Sequence, residues 1–129
     1  MALVTKARGP LLAMLLVGLL VMAVQVVAQA EPIMATYYAN KYAGKLTASG
    51  QSYDPYGFTA AHPYLPFGSK LLVSYGGKRV IVTVNDRIPY SSDSDLDLSW
   101  AAAKAIGHTE EGTAVVNAEV VDLLPASST

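Results

Sequence analysis

Apolar and polar residues alternate in several short stretches after residue 30, which is the pattern of β-strands with one buried face. Two such runs, SKLLVSY at 69–75 and KRVIVTV at 78–84, flank Gly76 and Gly77. Two glycines between alternating runs predict a hairpin, because both can adopt positive φ. Aromatic and β-branched residues at 33–39 predict an opening strand, and alternation at 112–122 predicts a closing one.

One helix is predicted in the same region, within LSWAAAKAIG at 98–107. Asp97 or Ser99 can cap its start, and Gly107 can end it. Turn residues such as Asp54 and Pro55 separate the other elements. About six strands and one short helix favour a mainly β fold, a small closed barrel, because closure removes exposed strand edges.

Residues 1–30 precede this pattern with an apolar run typical of an export signal. Lys6 and Arg8 come before the run, and AQA at 28–30 fits a cleavage site. The uncharged stretch approaches the length of a membrane span, so a retained hydrophobic helix that anchors the chain is the alternative. In both cases the rest is expected to be exported, to the periplasm or the extracellular cell wall. We divide the chain into a signal peptide (1–30), one domain (31–124) and a short tail (125–129).

Composition narrows the classes of function. Nine Lys and Arg face ten Asp and Glu, and this balance without a basic patch argues against nucleic-acid binding. The chain has no cysteine, so a disulfide framework is excluded. His62 and His108 lack the spacing of zinc ligands, and we expect neither a metal nor a cofactor. A monomer is expected, touching a membrane only through the N-terminal segment if that is retained.

Two polar positions stand out as candidates for chemistry. Asp86 follows a valine-rich strand, and by alternation it should lie on the valine face while Asn85 lies on the other. Asn-Asp at a strand end also commonly makes a turn, which is the alternative. His62 is a lone histidine, more often structural than catalytic. Asp97 is better explained as a helix cap than as a catalytic group.

The order of several motifs adds to these observations. TASG, TAAH, LPFG, NDR before a proline, and DLS before an alanine-rich helix follow one another between about Ala35 and Asp122. In this order the chain resembles the rare lipoprotein A (RlpA) family. The resemblance implies a double-psi β-barrel and, from the catalytic members, a lytic transglycosylase that cleaves peptidoglycan glycan strands. It places the family's functional aspartate at Asp86 and its histidine at His62.

The chemistry implied by the resemblance needs few protein groups. The nucleophile is the substrate's own 6-hydroxyl, so one carboxyl group can protonate the leaving oxygen and then accept the hydroxyl proton, giving 1,6-anhydro ends. Hydrolases normally use two carboxyl groups. We expect Asp86 in this role, with His62 in direct or one-water contact. The residues expected to bind substrate are Gln51, Tyr38, Tyr53, Asn85 and Arg87.

The chain also departs from the family pattern. Gln51 stands where the family usually has a glutamate implicated in activity, and an amide cannot take up a proton at neutral pH. Ile88 and Ser94 replace a usual glycine and arginine. A second class of function therefore stays open, a non-catalytic module that binds or loosens wall glycan through a tyrosine-lined groove, as expansins do. An inhibitor or toxin-like role on the same barrel is a third.

Overall fold

Six strands close into a barrel in the part of the chain that the computed structural model describes, residues 29–89 and 92–123. Their bounds are Glu31–Tyr37 (β1), Thr59–Ala61 (β2), Lys70–Tyr75 (β3), Lys78–Asp86 (β4), Leu96–Leu98 (β5) and Ala114–Asp122 (β6). Residues 1–28 of the predicted export signal and the tail 125–129 lie outside the described residues. Within the described ranges, no helix has the length and apolar character needed to cross a membrane.

The strands follow one another around the barrel in the order β1-β5-β2-β4-β3-β6. The pairs β1–β5 and β2–β4 are parallel, and the other four pairs are antiparallel. This arrangement confirms the predicted mainly β fold and fits a double-psi barrel. The β3–β4 hairpin is also confirmed, with Gly76 and Gly77 at φ of 57° and 81° in its turn.

The barrel interior is filled by alternate residues of the strands. On β5, Leu96 and Leu98 are fully buried while Asp97 between them is only half-buried. On β4, Val82 and Val84 are fully buried in the same core. The period of two therefore places every second side chain of these strands on the outer wall.

The helix, α1, runs from Trp100 to Ala105, and Ser99 caps its start. The Ser99 hydroxyl accepts a hydrogen bond from the Ala102 amide (3.3 Å) and donates one to the Gly57 carbonyl (2.6 Å). Gly107 follows the helix at φ 75°, the left-handed conformation typical after a helix end. Asp97, the other residue predicted to cap the helix, lies within β5 instead.

Replacing Ser99 by alanine should destabilise the protein by about 1–3 kcal/mol, because it removes the cap and leaves buried polar groups without a partner. Ser99 is fully buried, so water cannot replace the hydroxyl. Chemical denaturation of Ser99→Ala measures the loss. Ser74→Ala on β3 is the control and should change the free energy of unfolding by much less; equal effects would contradict the role of the cap.

Candidate active site

A cavity of about 520 Å³ opens on the outer wall of the barrel over β1, β5, β2 and the end of β4. The described residues that line it include Thr36, Tyr38, Ala61, Asp86, Arg87 and Asp97. Three aspartates line this open space, Asp86, Asp93 and Asp97.

The floor of this cavity is one row of paired residues across four strands. Thr36 pairs with Asp97, and Asp97 pairs with Ala61. Ala61 in turn pairs with Asp86. Paired residues of adjacent strands point to the same face, so the two aspartates flank the small Ala61 side chain. The Cα atoms of Asp86 and Asp97 are two strand spacings apart, which is about 10 Å.

A β-bulge turns Asp86 toward this cavity. Ala60 pairs with Val84, but the next residue, Ala61, pairs with Asp86, so Asn85 is an extra residue in β4. Without the bulge, alternation would place Asp86 on the same face as buried Val84. The prediction that Asp86 lies on the valine face is therefore wrong, because the extra residue shifts the alternation by one.

Three hydrogen bonds hold the Asp86 carboxylate. Its Oδ1 accepts from the backbone amides of Ala48 (2.8 Å) and Arg87 (2.9 Å). Its Oδ2 accepts from the Tyr38 hydroxyl at 2.5 Å. The Ala48 amide belongs to the TASG motif, so one role of this motif is to hold the Asp86 carboxylate. Asp86 thus ends the strand, as a turn residue would, and also presents an oxygen atom to the cavity.

Tyr38 reaches Asp86 from the residue just after β1. Its ring stacks on Tyr53 with centroids 4.4 Å apart. Burial, together with the hydrogen bond to Asp86, raises the pKa of Tyr38, so the phenol stays protonated and donates. Tyr53 itself is 4% exposed, and its oxygen accepts a hydrogen bond from the Trp100 amide. Tyr53 packs against Tyr38, and its burial leaves little of its surface open to a substrate.

Asp97 has a different environment from Asp86. Its Oδ1 accepts a hydrogen bond from the Thr36 hydroxyl at 3.2 Å. Burial raises the pKa of Asp97 to about 6, the Thr36 hydrogen bond opposes the rise, and the negative charge of Asp86 adds to it. Asp97 was predicted as a cap; its place between two leucines could have indicated an outward-facing carboxyl instead.

His62 follows β2 directly after Ala61, and its backbone amide donates to the Asp86 carbonyl at 3.2 Å. Its imidazole, however, lines another cavity together with Tyr64 and Leu65. Nδ1 accepts the backbone amides of Tyr64 and Leu65, both at 3.2 Å. Burial and then the Arg87 charge lower the pKa of His62 to about 4, so the ring is neutral near pH 7. These bonds occupy Nδ1, so the expected direct or one-water contact with the Asp86 carboxylate would have to use Nε2 and stays a prediction.

The other residues expected to bind substrate divide into two groups. Arg87 lines the cavity, with its guanidinium 4.0 Å from the centroid of the Phe67 ring and one nitrogen 3.3 Å from the Asp86 carbonyl. These contacts fix the position of the Arg87 side chain. Asn85 is buried and donates to the Gln51 side chain at 3.3 Å. Gln51 is exposed on the TASG loop and braces the bulge from outside the cavity lining.

Comparison with protein families gives a match over most of the described domain. The family model described as lytic transglycolase matches residues 31–118. The endolytic peptidoglycan transglycosylase RlpA of Pseudomonas aeruginosa is 51% identical to this chain over 90 residues. The match covers 68% of this chain but 26% of that relative, so the chain spans about a quarter of its length.

Solved structures share the barrel. A Streptomyces papain inhibitor has a TM-score of 0.60 at 25% identity, with 72% of this chain and 94% of that chain covered. An expansin variant of Clavibacter michiganensis in complex with cellohexaose also has a TM-score of 0.60, at 20% identity, with 78% and 54% covered. At this level of identity the likeness concerns the fold.

Proposed function

The chain belongs to the lytic transglycolase family, and we propose that it cleaves the glycan strands of peptidoglycan by intramolecular attack, leaving 1,6-anhydro-N-acetylmuramic acid ends. The observation that carries the proposal is the Asp86 carboxylate, turned out of the core by the bulge and held at an open cavity. The relative's name supports peptidoglycan as the substrate.

Asp86 is the acid–base group of the proposed reaction. A carboxyl proton passes to the glycosidic oxygen as the bond from that oxygen to C1 of the muramic acid breaks. The 6-hydroxyl oxygen of the same sugar bonds to C1, and its proton passes to a carboxylate. One proton is given and one is recovered, and no water is consumed. In the simplest form of the reaction Asp86 performs both transfers.

Tyr38 and two backbone amides hold the Asp86 carboxylate in a fixed orientation for proton transfer. The two amides bind Oδ1 and fix the plane of the carboxylate, so the proton is exchanged at Oδ2. Tyr38, stacked on buried Tyr53, holds Oδ2 at the cavity. Fixed donors of this kind need no rearrangement during the reaction, which is the basis of electrostatic preorganisation.

The site of action proposed for the protein is the cell wall. Lys6 and Arg8 before an apolar run support export, and the wall is where peptidoglycan is found. Periplasm and extracellular wall are both consistent with this proposal.

A non-catalytic glycan-binding module is the second candidate. Three tyrosines are exposed and offer flat faces for sugar rings: Tyr42, Tyr56 and Tyr64, at 41%, 77% and 67%. The fold shared with an expansin bound to cellohexaose is the other observation in its favour.

Incubation of the purified protein with isolated sacculi separates the two functions. The enzyme should form new 1,6-anhydro ends, while a module should sediment with the sacculi and form none. The new ends are measured by mass spectrometry after complete digestion of the treated sacculi. Binding without new anhydro ends would overturn the proposed activity and favour the module.

A further inference from the structure

We propose that Asp97 is a second catalytic carboxyl of this cavity and donates the proton to the leaving oxygen, while Asp86 accepts the proton of the attacking hydroxyl. The inference rests on the proposed function and deepens it. It is carried by the placement of two unlike carboxyl groups on one cavity floor.

The strand register places the two carboxyl groups on opposite sides of one small residue. Asp97 and Asp86 both pair with Ala61, one from β5 and the other from β4. Alanine leaves the space between them open, and all three residues line the cavity. A glycosidic bond lying over Ala61 would have one carboxyl at each side, which is the disposition that separate acid and base groups require.

The surroundings of the two groups suit opposite proton-transfer roles. Asp86 accepts three hydrogen bonds, two of them from fixed backbone amides. Asp97 accepts one, from the Thr36 hydroxyl, and burial is the main cause that raises its pKa. Its pKa of about 6 means that Asp97 still carries a proton in mildly acidic solution. Two carboxyl groups in environments this different are the usual sign of a divided acid and base.

Every charged or titratable group that faces this cavity bears on the assignment. Tyr38 faces it from the end of β1, Asp86 and Arg87 from the end of β4, and Asp93 from the segment before β5. Burial raises the pKa of Asp97 most, the Thr36 hydrogen bond lowers it, and the Asp86 charge raises it further. Two interacting carboxyl groups titrate as a pair, so the pH profile reports apparent values for both.

The proposed step balances with these two groups alone. The Asp97 proton moves to the glycosidic oxygen, whose bond to C1 breaks. The 6-hydroxyl oxygen bonds to C1, and its proton moves to Asp86. The net result is one proton transferred from Asp97 to Asp86, and exchange with solvent restores the starting state.

The test measures anhydro ends formed on isolated glycan strands from pH 4.5 to 8, for wild type, Asp97→Asn and Asp95→Asn. Wild-type activity should fall above about pH 6, as the proton on Asp97 is lost. Asp97→Asn should lower the rate at least about 100-fold and should lack this decline. Asp95 is exposed, two residues earlier, and outside the cavity lining, so Asp95→Asn loses the same charge and should keep wild-type activity.

A second variant, Thr36→Val, tests whether the pH dependence comes from Asp97. The Thr36 hydroxyl lowers the pKa of Asp97, so Thr36→Val should move the decline to higher pH. A purely structural Asp97 would predict an unmoved pH profile for Thr36→Val in a folded protein, and that result would overturn the inference.

The same experiment separates the inference from the proposed function. If wild type forms anhydro ends and Asp97→Asn forms them equally fast, the inference fails and the function stands. If wild type forms none, the proposed function fails as well.

Discussion

Replacement of Asp86 by asparagine is expected to lower glycan cleavage by about 10²–10⁴-fold, because an amide can neither deliver nor recover the proton. The fold should survive this change. The asparagine oxygen can accept the amides of Ala48 and Arg87, and its NH₂ group can face the Tyr38 oxygen. Initial rates on isolated glycan strands, with circular dichroism to check the fold, measure the effect.

The matched control for this variant is Asp122→Asn, the same change at an exposed position at the end of β6. It should leave the rate unchanged. Binding of Asp86→Asn to sacculi should also persist, because Arg87 and Tyr38 still line the cavity. A rate for Asp86→Asn within about threefold of wild type would remove Asp86 from the mechanism.

Replacement of Ala61 by leucine is the second change with a large expected effect. Ala61 lies between the two aspartates on the cavity floor, and a leucine side chain would project into the space where the scissile bond must lie. A displacement of about 1 Å of reacting groups costs on the order of 100-fold in rate, so a loss of at least this size is expected. Cleavage rates and sacculus binding are the measurements.

Ala105→Leu, on the exposed end of α1, is the control with the same gain in volume. It should leave both cleavage and binding intact. Ala61 lines the cavity but is only 2% exposed, so the melting temperature of Ala61→Leu is measured beside the rates to show that the variant is folded. Full activity in Ala61→Leu would show that the glycan binds elsewhere.

Much of the barrel could be predicted from the sequence because its longer elements carry clear local signals. Gly76-Gly77 between alternating runs predicted the β3–β4 hairpin, and Ser99 with Gly107 bounded the helix. β2 and β5 were not predicted individually, since each has three residues, TAA and LDL, too few for a period of two to be visible. Yet these two short strands form the middle of the cavity floor.

Only part of the site was predicted, because a bulge and a turn decide where the side chains of Asp86 and His62 point. The resemblance to the RlpA family indicated Asp86 and His62. Strict alternation placed Asp86 on the wrong face, because the bulge at Asn85 depends on pairing with β2. The imidazole of His62 binds backbone amides two and three residues further on. No spacing in the sequence distinguishes that turn from a contact across the barrel.

The exposure of Asp97 and of Tyr53 could not be predicted from the sequence either. Asp97 was assigned to a helix cap, yet strand pairing carries it to the cavity, with its pKa raised to about 6 by burial. Tyr53 was expected to touch substrate, yet it packs behind Tyr38. Exposure of a side chain depends on contacts distant in sequence, which composition and periodicity do not contain.

The chemical nature of the newly formed glycan ends tests the central claim most directly. Purified protein acts on isolated glycan strands, the products are treated with borohydride, and mass spectrometry identifies each new end. Intramolecular attack predicts ends that resist reduction and lack the elements of one water molecule. New ends that borohydride reduces would mean that water is the nucleophile, and they would contradict the mechanism proposed for Asp86.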